Sequence, residues 1–316
     1  MTTPAAINYD VYHDESKEAG YWHGILLVPC HTRSTILKHL ATIRQKTGFD
    51  LPLSLKDVKG YKDRFQCSRA AVQLAINAMI QDNKGTIEEV YISTRNYDPH
   101  GERPATEFRE IISIAEPLGM KFIVFRERDC FKFLDPRGDF LDYGAKVETT
   151  FRMGFKGGLH FLFSDDTPSI ISSIHFDGCL HHKRHMDEER IVGRLKQSLR
   201  HYCQISTSLI IDDQSSDHRQ SGHAQSYDDC QFLQITDLLI GSFRTVLADK
   251  KNEAQAAVAA PVAELVKKWK CGRKRMKNSR WHRSFCISQC HLQDSRWQFT
   301  TLPAKGNDDQ LSLPFS

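Results

Sequence analysis

Apolar and polar residues alternate with a period of two at the start of the chain, where Ile7, Tyr9, Val11 and His13 interleave with Asn8, Asp10, Tyr12 and Asp14. Two-residue periodicity among β-branched and aromatic side chains predicts a strand. After a turn at Glu18-Ala19-Gly20, the run YWHGILLV at 21–28 predicts a second strand that stops at Pro29, so the chain opens on an expected hairpin. The period then lengthens: Ile36, Leu37, Leu40 and Ile43 recur at helical spacing over 32–47, with Gly48 as the stop. A short segment at 53–60 leads into a helix expected over 68–82. A strand over 88–94, a helix over 106–118 ended by Gly119 and a strand over 120–126 follow. This α-β-α-β order points to an α/β layer structure with some parallel pairing.

Between 139 and 163 the assignment stays open, because Gly144, Gly154, Gly157 and Gly158 interrupt any long helix. A strand over 172–177 ends on a carboxylate, and Ile191, Leu195 and Leu199 mark an amphipathic helix over 185–202. A strand over 206–211, a polar loop over 214–227, the most apolar helix of the chain over 231–247 and an Ala-rich helix over 254–266 come next. Two strands, 284–292 and 296–302, precede a polar tail. A boundary near 249–252 divides an α/β domain, 1–250, from a basic C-terminal extension, 251–316.

Composition narrows the class. An apolar fraction of 40% and a charged fraction of 26% are those of a globular chain, which excludes fibrous and wholly disordered classes. No run approaches the roughly 18 apolar residues of a membrane span, and MTTPAAINYD has neither a basic start nor an apolar stretch. The expectation is a cytoplasmic protein with no membrane partner, its nine scattered cysteines mostly reduced. The net charge of +4 is local in origin: nine of the 43 Lys and Arg fall between 267 and 283 with no Asp or Glu, leaving the rest of the chain net acidic. A basic run of this kind is a footprint for a polyanion.

The first strand ends on Asp14-Glu15. A carboxylate on a core strand is costly unless solvated, hydrogen-bonded or bound to a cation, so this spot is the first candidate site. Asp177 has a similar placement, ending a strand before Gly178. Asp237 lies inside the apolar helix, sharing a face with Gln234 and Gly241. Gly241 would let that helix approach a neighbouring backbone and carry Asp237 to a strand end; the alternative is a solvated acid on a polar face. Asp14, Asp177 and Asp237 are the oxygen donors that Mg²⁺ and Mn²⁺ prefer. Two such ions about 4 Å apart can activate water and stabilise the leaving oxygen in phosphodiester cleavage.

The motifs Asp14-Glu15-Ser16, with Gly20 and the strand from Tyr21, and Gln234-Ile235-Thr236-Asp237-Leu238-Leu239-Ile240-Gly241-Ser242 resemble those of the family catalogued as the domain of unknown function numbered 3800. Its usual forms are Asp-Glu-Ser-Gly and Gln-Leu-Ala-Asp-Leu-Leu-Ala-Gly, and the strand and acid at 174–177 fit its intermediate element. The resemblance spans about residues 7–247; Lys17 stands for the usual Gly and Thr236 for the usual Ala. It implies a ribonuclease-H-like mixed sheet flanked by helices, with Asp14, Asp177 and Asp237 as metal ligands. The helical Glu that such sites often supply after the hairpin has no clear match; Asp57 and Glu148 are the candidates.

Other residues carry two readings each. Glu15 is either a fourth catalytic acid or a residue of the opposite face, since strand neighbours alternate. Asp228 and Asp229 suit a helix cap, and Asp212-Asp213 a turn. His181-His182-Lys183-Arg184-His185, Lys56 and Lys59 are phosphate contacts or solvated surface. Lys268, Lys270, Arg273, Lys274, Arg275, Lys277 and Arg280, interleaved with Trp269 and Trp281, suit backbone contact and base stacking with nucleic acid, or form a solvated face. His282, Cys286, Cys290 and His291, with Cys271 upstream, lack the C-x₂-C spacing of a zinc knuckle; on one strand Cys286 and Cys290 share a core-facing side. The expectation is a nuclease using Mg or Mn on DNA or RNA. Its alternatives are a non-catalytic nucleic-acid-binding module and a metal-dependent nucleotide phosphohydrolase.

Overall fold

The computed structural model describes residues 5–17, 20–80, 88–93, 108–114, 117–127, 143–177, 187–199, 201–213, 224–248, 252–272, 284–293 and 296–301. Its strands are β1 (Ile7–Ser16), β2 (Tyr21–Pro29), β3 (Glu88–Ser93), β4 (Phe108–Ile114), β5 (Lys121–Glu127), β6 (Ser169–Asp177), β7 (Cys203–Ile205), β8 (Ile211–Asp213), β9 (Phe285–Gln293) and β10 (Arg296–Thr301). Its helices are α1 (Arg33–Thr47), α2 (Asp63–Met79), α3 (Tyr143–Leu162), α4 (Glu188–Ser198), α5 (Ala224–Ala248), α6 (Glu253–Val258) and α7 (Ala260–Gly272), with a 3-10 turn at Leu55–Asp57.

The protein is an α/β structure built on a mixed sheet of order β10-β9-β5-β2-β1-β6-β7, with β8 also paired to β6. β2 runs antiparallel between β1 and β5, while β6 lies parallel to β1 on the other side and β9 parallel to β5. Helices cover both faces. Tyr12, Trp22, Leu26, Val28, Phe122 and Phe285 pack with α1, α2, α5, α6 and α7; Val11, Ile25, Ile123, Phe125, Ile174 and Phe176 pack with α3 and α4. Successive strand residues thus feed two different cores, as the two-residue period requires. The sheet runs across the boundary drawn at 249–252, because β9 and β10 extend its β5 edge. No described helix is long and apolar enough to cross a membrane.

Several elements differ from the sequence expectation. Residues 108–114 form β4, not a helix, giving α-β-β-β after α1; Ile111, Ile112 and Ile114 are β-branched, and β4 pairs antiparallel with β3, with Ile111 as the extra residue at a register shift. β3 and β4 form their own two-stranded sheet beside α1 and α2. The glycine-rich stretch is one 20-residue helix, α3. A Cβ on Gly154 would sit 2.8 Å from Phe125 Cδ1, and one on Gly158 2.8 Å from Ile123 Cγ2, so these glycines let α3 lie close on β5. The strand expected at 206–211 is absent: pairing with β6 ends at Ser206 and resumes at Ile211. The Ala-rich helix breaks at Ala259 into α6 and α7, where Pro261 lacks an N–H and its ring clashes with a continuing turn. The loop expected to reach residue 227 ends earlier, since α5 begins at Ala224.

Candidate active site

β1 turns Asp10, Tyr12, Asp14 and Ser16 toward α5. The Tyr12 ring stacks on Phe232 of α5 at 5.0 Å and on His175 of β6 at 4.9 Å, which marks the face. Asp14 and Asp177 lie two residues beyond Tyr12 and His175, and strand alternation gives them the same face. The ladder pairs Tyr12 with His175 and His13 with Phe176, so the two acids stand one residue further on, at the ends of adjacent parallel strands. This depends on a bulge. Tyr9 pairs with Ile171 but Asp10 with Ser173, leaving Ser172 as an extra residue. An uninterrupted ladder would have turned Asp177 to the α3 side, away from Asp14.

α5 brings Asp237 to the same face. Asp14 pairs with Gly24 across the hairpin, and a Cβ on Gly24 would fall inside contact distance of Ile240 Cγ1 and 2.7 Å from its Cδ1. The bare glycine therefore lets α5 close over the strand beside Asp14. Gly241, the glycine expected in this role, instead faces the 3-10 turn: its Cβ would lie 2.9 Å from Leu55 Cβ. Along that contact Leu55 N donates to Asp237 Oδ2 at 3.3 Å. Gln234 Oε1 accepts from Leu53 N at 3.0 Å and Arg44 Nη2 at 2.8 Å. The 53–55 segment is thus stitched to α5 on the face shared by Gln234, Asp237 and Gly241. Arg244, two turns past Asp237, donates to Ser16 Oγ and ties α5 to the end of β1.

Burial pushes the Asp14 carboxyl well above the usual carboxylate range, and Asp237, Asp177 and Glu15 add to the rise; the bond from Glu15 N, at 2.7 Å, opposes it. Burial also raises Asp237, opposed by the Ser54 hydroxyl, Leu55 N and the Lys56 ammonium and reinforced by Asp177. Asp14 is only 9% exposed, and crowding like charges in a water-poor site is unfavourable without a compensating cation or proton. Among the described residues no three His, Cys, Asp or Glu side chains are grouped closely enough to enclose a metal ion. Asp14, Asp177 and Asp237 lie within electrostatic reach of one another without enclosing a common point. Mg²⁺ is commonly held by one or two carboxylates, with waters and substrate phosphates completing its shell, and carboxylates are the donors present at Asp14 and its neighbours.

The other candidates separate. Glu15 points to the α3 side, where the Tyr21 hydroxyl donates to Oε2. Asp57 pairs with Arg64 at 3.4 Å. Glu148 is on α3, 2% exposed, bonded by Arg190 Nε at 3.1 Å and Nη2 and flanked by Arg194 at 3.8 Å. Asp228 and Asp229 lie inside α5 and do not cap it. Lys56 is exposed on the 3-10 turn within electrostatic reach of Asp237; Lys59 is exposed. Lys268 and Lys270 belong to α7. Arg273, Lys274, Arg275, Lys277 and Arg280 lie outside the described residues, as do His181–His185 and His282. Cys286 and Cys290 are buried in the core under α3 and α4.

Two buried polar networks went unread in the sequence. On the α5 face, Arg33 bridges Asp10 Oδ2, at 3.1 Å, and Asp229 Oδ1, at 2.7 Å, and the Tyr12 hydroxyl donates to that same Asp229 oxygen at 2.7 Å. On the α3 face, His13 Nε2 lies 3.1 Å from His23 Nδ1, and His23 Nε2 2.9 Å from Glu127 Oε1. The available signal was the even-numbered row of β1, which stays polar from Asn8 to Ser16 although the helix over it is among the most apolar segments of the chain.

No known family, curated protein or solved structure matches the chain.

Proposed function

We propose that the protein is a divalent-metal-dependent nuclease of ribonuclease-H-like architecture, related to the family of unknown function whose motifs it resembles. The observation that carries the reading is the shared face of Asp14, Asp177 and Asp237, drawn from β1, β6 and α5, with Asp14 raised by burial and further by the charge of the other two. An antiparallel hairpin with a parallel strand beside β1 agrees with that architecture. Bound Mg²⁺ or Mn²⁺ would neutralise phosphate charge and supply an activated water. Asp14 and Asp237 would hold the ion with Asp177 flanking Asp14, and the bond from Leu55 N orients the Asp237 carboxylate. Lys56, exposed beside Asp237, is suited to the substrate phosphate, and the basic stretch from Lys268 to Arg280 to the nucleic-acid backbone. The test incubates the purified protein with DNA and with RNA in Mn²⁺, Mg²⁺ or EDTA. Metal-dependent cleavage that disappears in Asp14→Ala and Asp237→Ala is expected. Cleavage that survives both substitutions overturns the site, and salt-sensitive binding without cleavage makes the protein a binding module.

A further inference from the structure

Beneath the three acids lies a second, largely buried set of polar groups, most of them on the same elements. Tyr12 stands one pleat before Asp14 on β1, His175 one pleat before Asp177 on β6, and Asp229 eight residues before Asp237 on α5. These three touch. Tyr12 stacks on His175 at 4.9 Å and donates to Asp229 at 2.7 Å, and His175 Nδ1 lies 3.9 Å from Asp229 Oδ2. A ring of contacts passes through His175 and Asp229, hydrogen-bonded at every link except the 3.9 Å approach between those two. Ser173 Oγ donates to Asp10 Oδ1 at 2.6 Å, which uses its only hydrogen, so the 2.8 Å contact with His175 Nε2 is donated by the imidazole. Arg33 returns the ring from Asp10 to Asp229. Ser173 is also the residue at which β6 resumes its ladder with β1 after the extra Ser172.

We propose that this Asp10–Ser173–His175–Asp229–Arg33 ring, with Tyr12 across it, sets the positions of the carboxylates for cation capture, making its members positioning residues. The inference rests on the metal-dependent reading above. The bulge decides which face Asp177 takes, and the Ser173–Asp10 bond holds β6 in that register. Tyr12 and Arg33 hydrogen-bond Asp229 and Tyr12 stacks on His175, so α5 cannot slide along β1 without breaking charge-assisted bonds. Asp237 is thereby held opposite Asp14 although the acids repel one another. The ring has no carboxylate in common with the cluster; it acts through three shared backbones.

The experiment measures Mn²⁺ binding to the full chain by the electron paramagnetic resonance signal of free Mn²⁺, alongside melting temperature in EDTA. It compares wild type, Asp229→Asn, Tyr12→Phe and, as a buried polar control on the other face, Glu148→Gln. Affinity is expected to fall about tenfold in Asp229→Asn, the lower end for an outer-shell change at a metal site, and by less in Tyr12→Phe, which keeps both ring stacks. Glu148→Gln should bind as wild type even where it melts earlier. Unchanged affinity in folded Asp229→Asn and Tyr12→Phe, or equal weakening in Glu148→Gln, overturns the positioning role while leaving the metal reading intact. Wild type that binds no Mn²⁺ overturns both. Should Asp229→Asn fail to fold, Tyr12→Phe decides.

Discussion

Gly24 stands directly across the β1–β2 ladder from Asp14, and the space its missing side chain leaves is filled by Ile240 of α5. The approach of the helix to the acid is therefore set by a hydrogen atom. Gly24→Ala should destabilise the fold by about 1–3 kcal/mol through overpacking and lower metal-dependent cleavage by moving Asp237. Adding Ile240→Ala should return part of the activity. Urea denaturation and cleavage assays on the single and double variants check this; a fully active Gly24→Ala would show that the spacing does not matter.

Asp14 makes the metal-free protein pH-sensitive. Its folded-state pKa is raised, so above the ordinary carboxylate value of about 4 the native state retains a proton that the unfolded chain has released. That contribution to stability is complete below about 4 and is lost as pH rises through the raised folded value. Asp14→Asn, which cannot ionise, should abolish cleavage yet be more stable than wild type in EDTA at neutral pH, by about 1–2 kcal/mol. The gap should shrink toward pH 4 and on adding Mn²⁺. Denaturation midpoints at several pH values, with and without metal, test the sign.

Helix propensity alone makes Gly→Ala in α3 favourable by about 1 kcal/mol. At Gly154 and Gly158 the opposite is expected, because each new methyl would drive into Phe125 or Ile123 on β5. Gly157, whose added Cβ would meet nothing within 4 Å, should show the ordinary gain. Thermal melts of the three variants separate packing from propensity.

Glu148 has the burial of a catalytic acid but the partners of a structural one. Glu148→Gln should cost roughly 1–3 kcal/mol by weakening the bonds that the exposed Arg190 makes to this buried carboxylate. Metal-dependent cleavage at a temperature where the variant is folded should be unchanged. A large loss of turnover there would return Glu148 to the active site as the missing fourth acid.

The hairpin, α1, β6 and α5 were legible in the sequence because each is declared locally, by a period of two or of 3.6 and a punctuating Gly or Pro. The three acids were legible as strand-end and helix-face positions for the same reason. Residues 106–118 misled because Ile111, Ile112 and Ile114 suit either period until β3 provides a partner. The glycines of α3 misled because a helix breaker and a close-approach residue are the same letter; only Phe125 and Ile123, on another element, distinguish them.

What the sequence by itself determined is the inventory: an opening strand ending in Asp14, a later one ending in Asp177, and an apolar helix carrying Asp237. What the tertiary structure decided is that they share a face. A strand's side chains alternate, so the one extra residue at Ser172, set by pairing with β1 far earlier in the chain, determines whether Asp177 lies beside Asp14 or on the far side of the sheet.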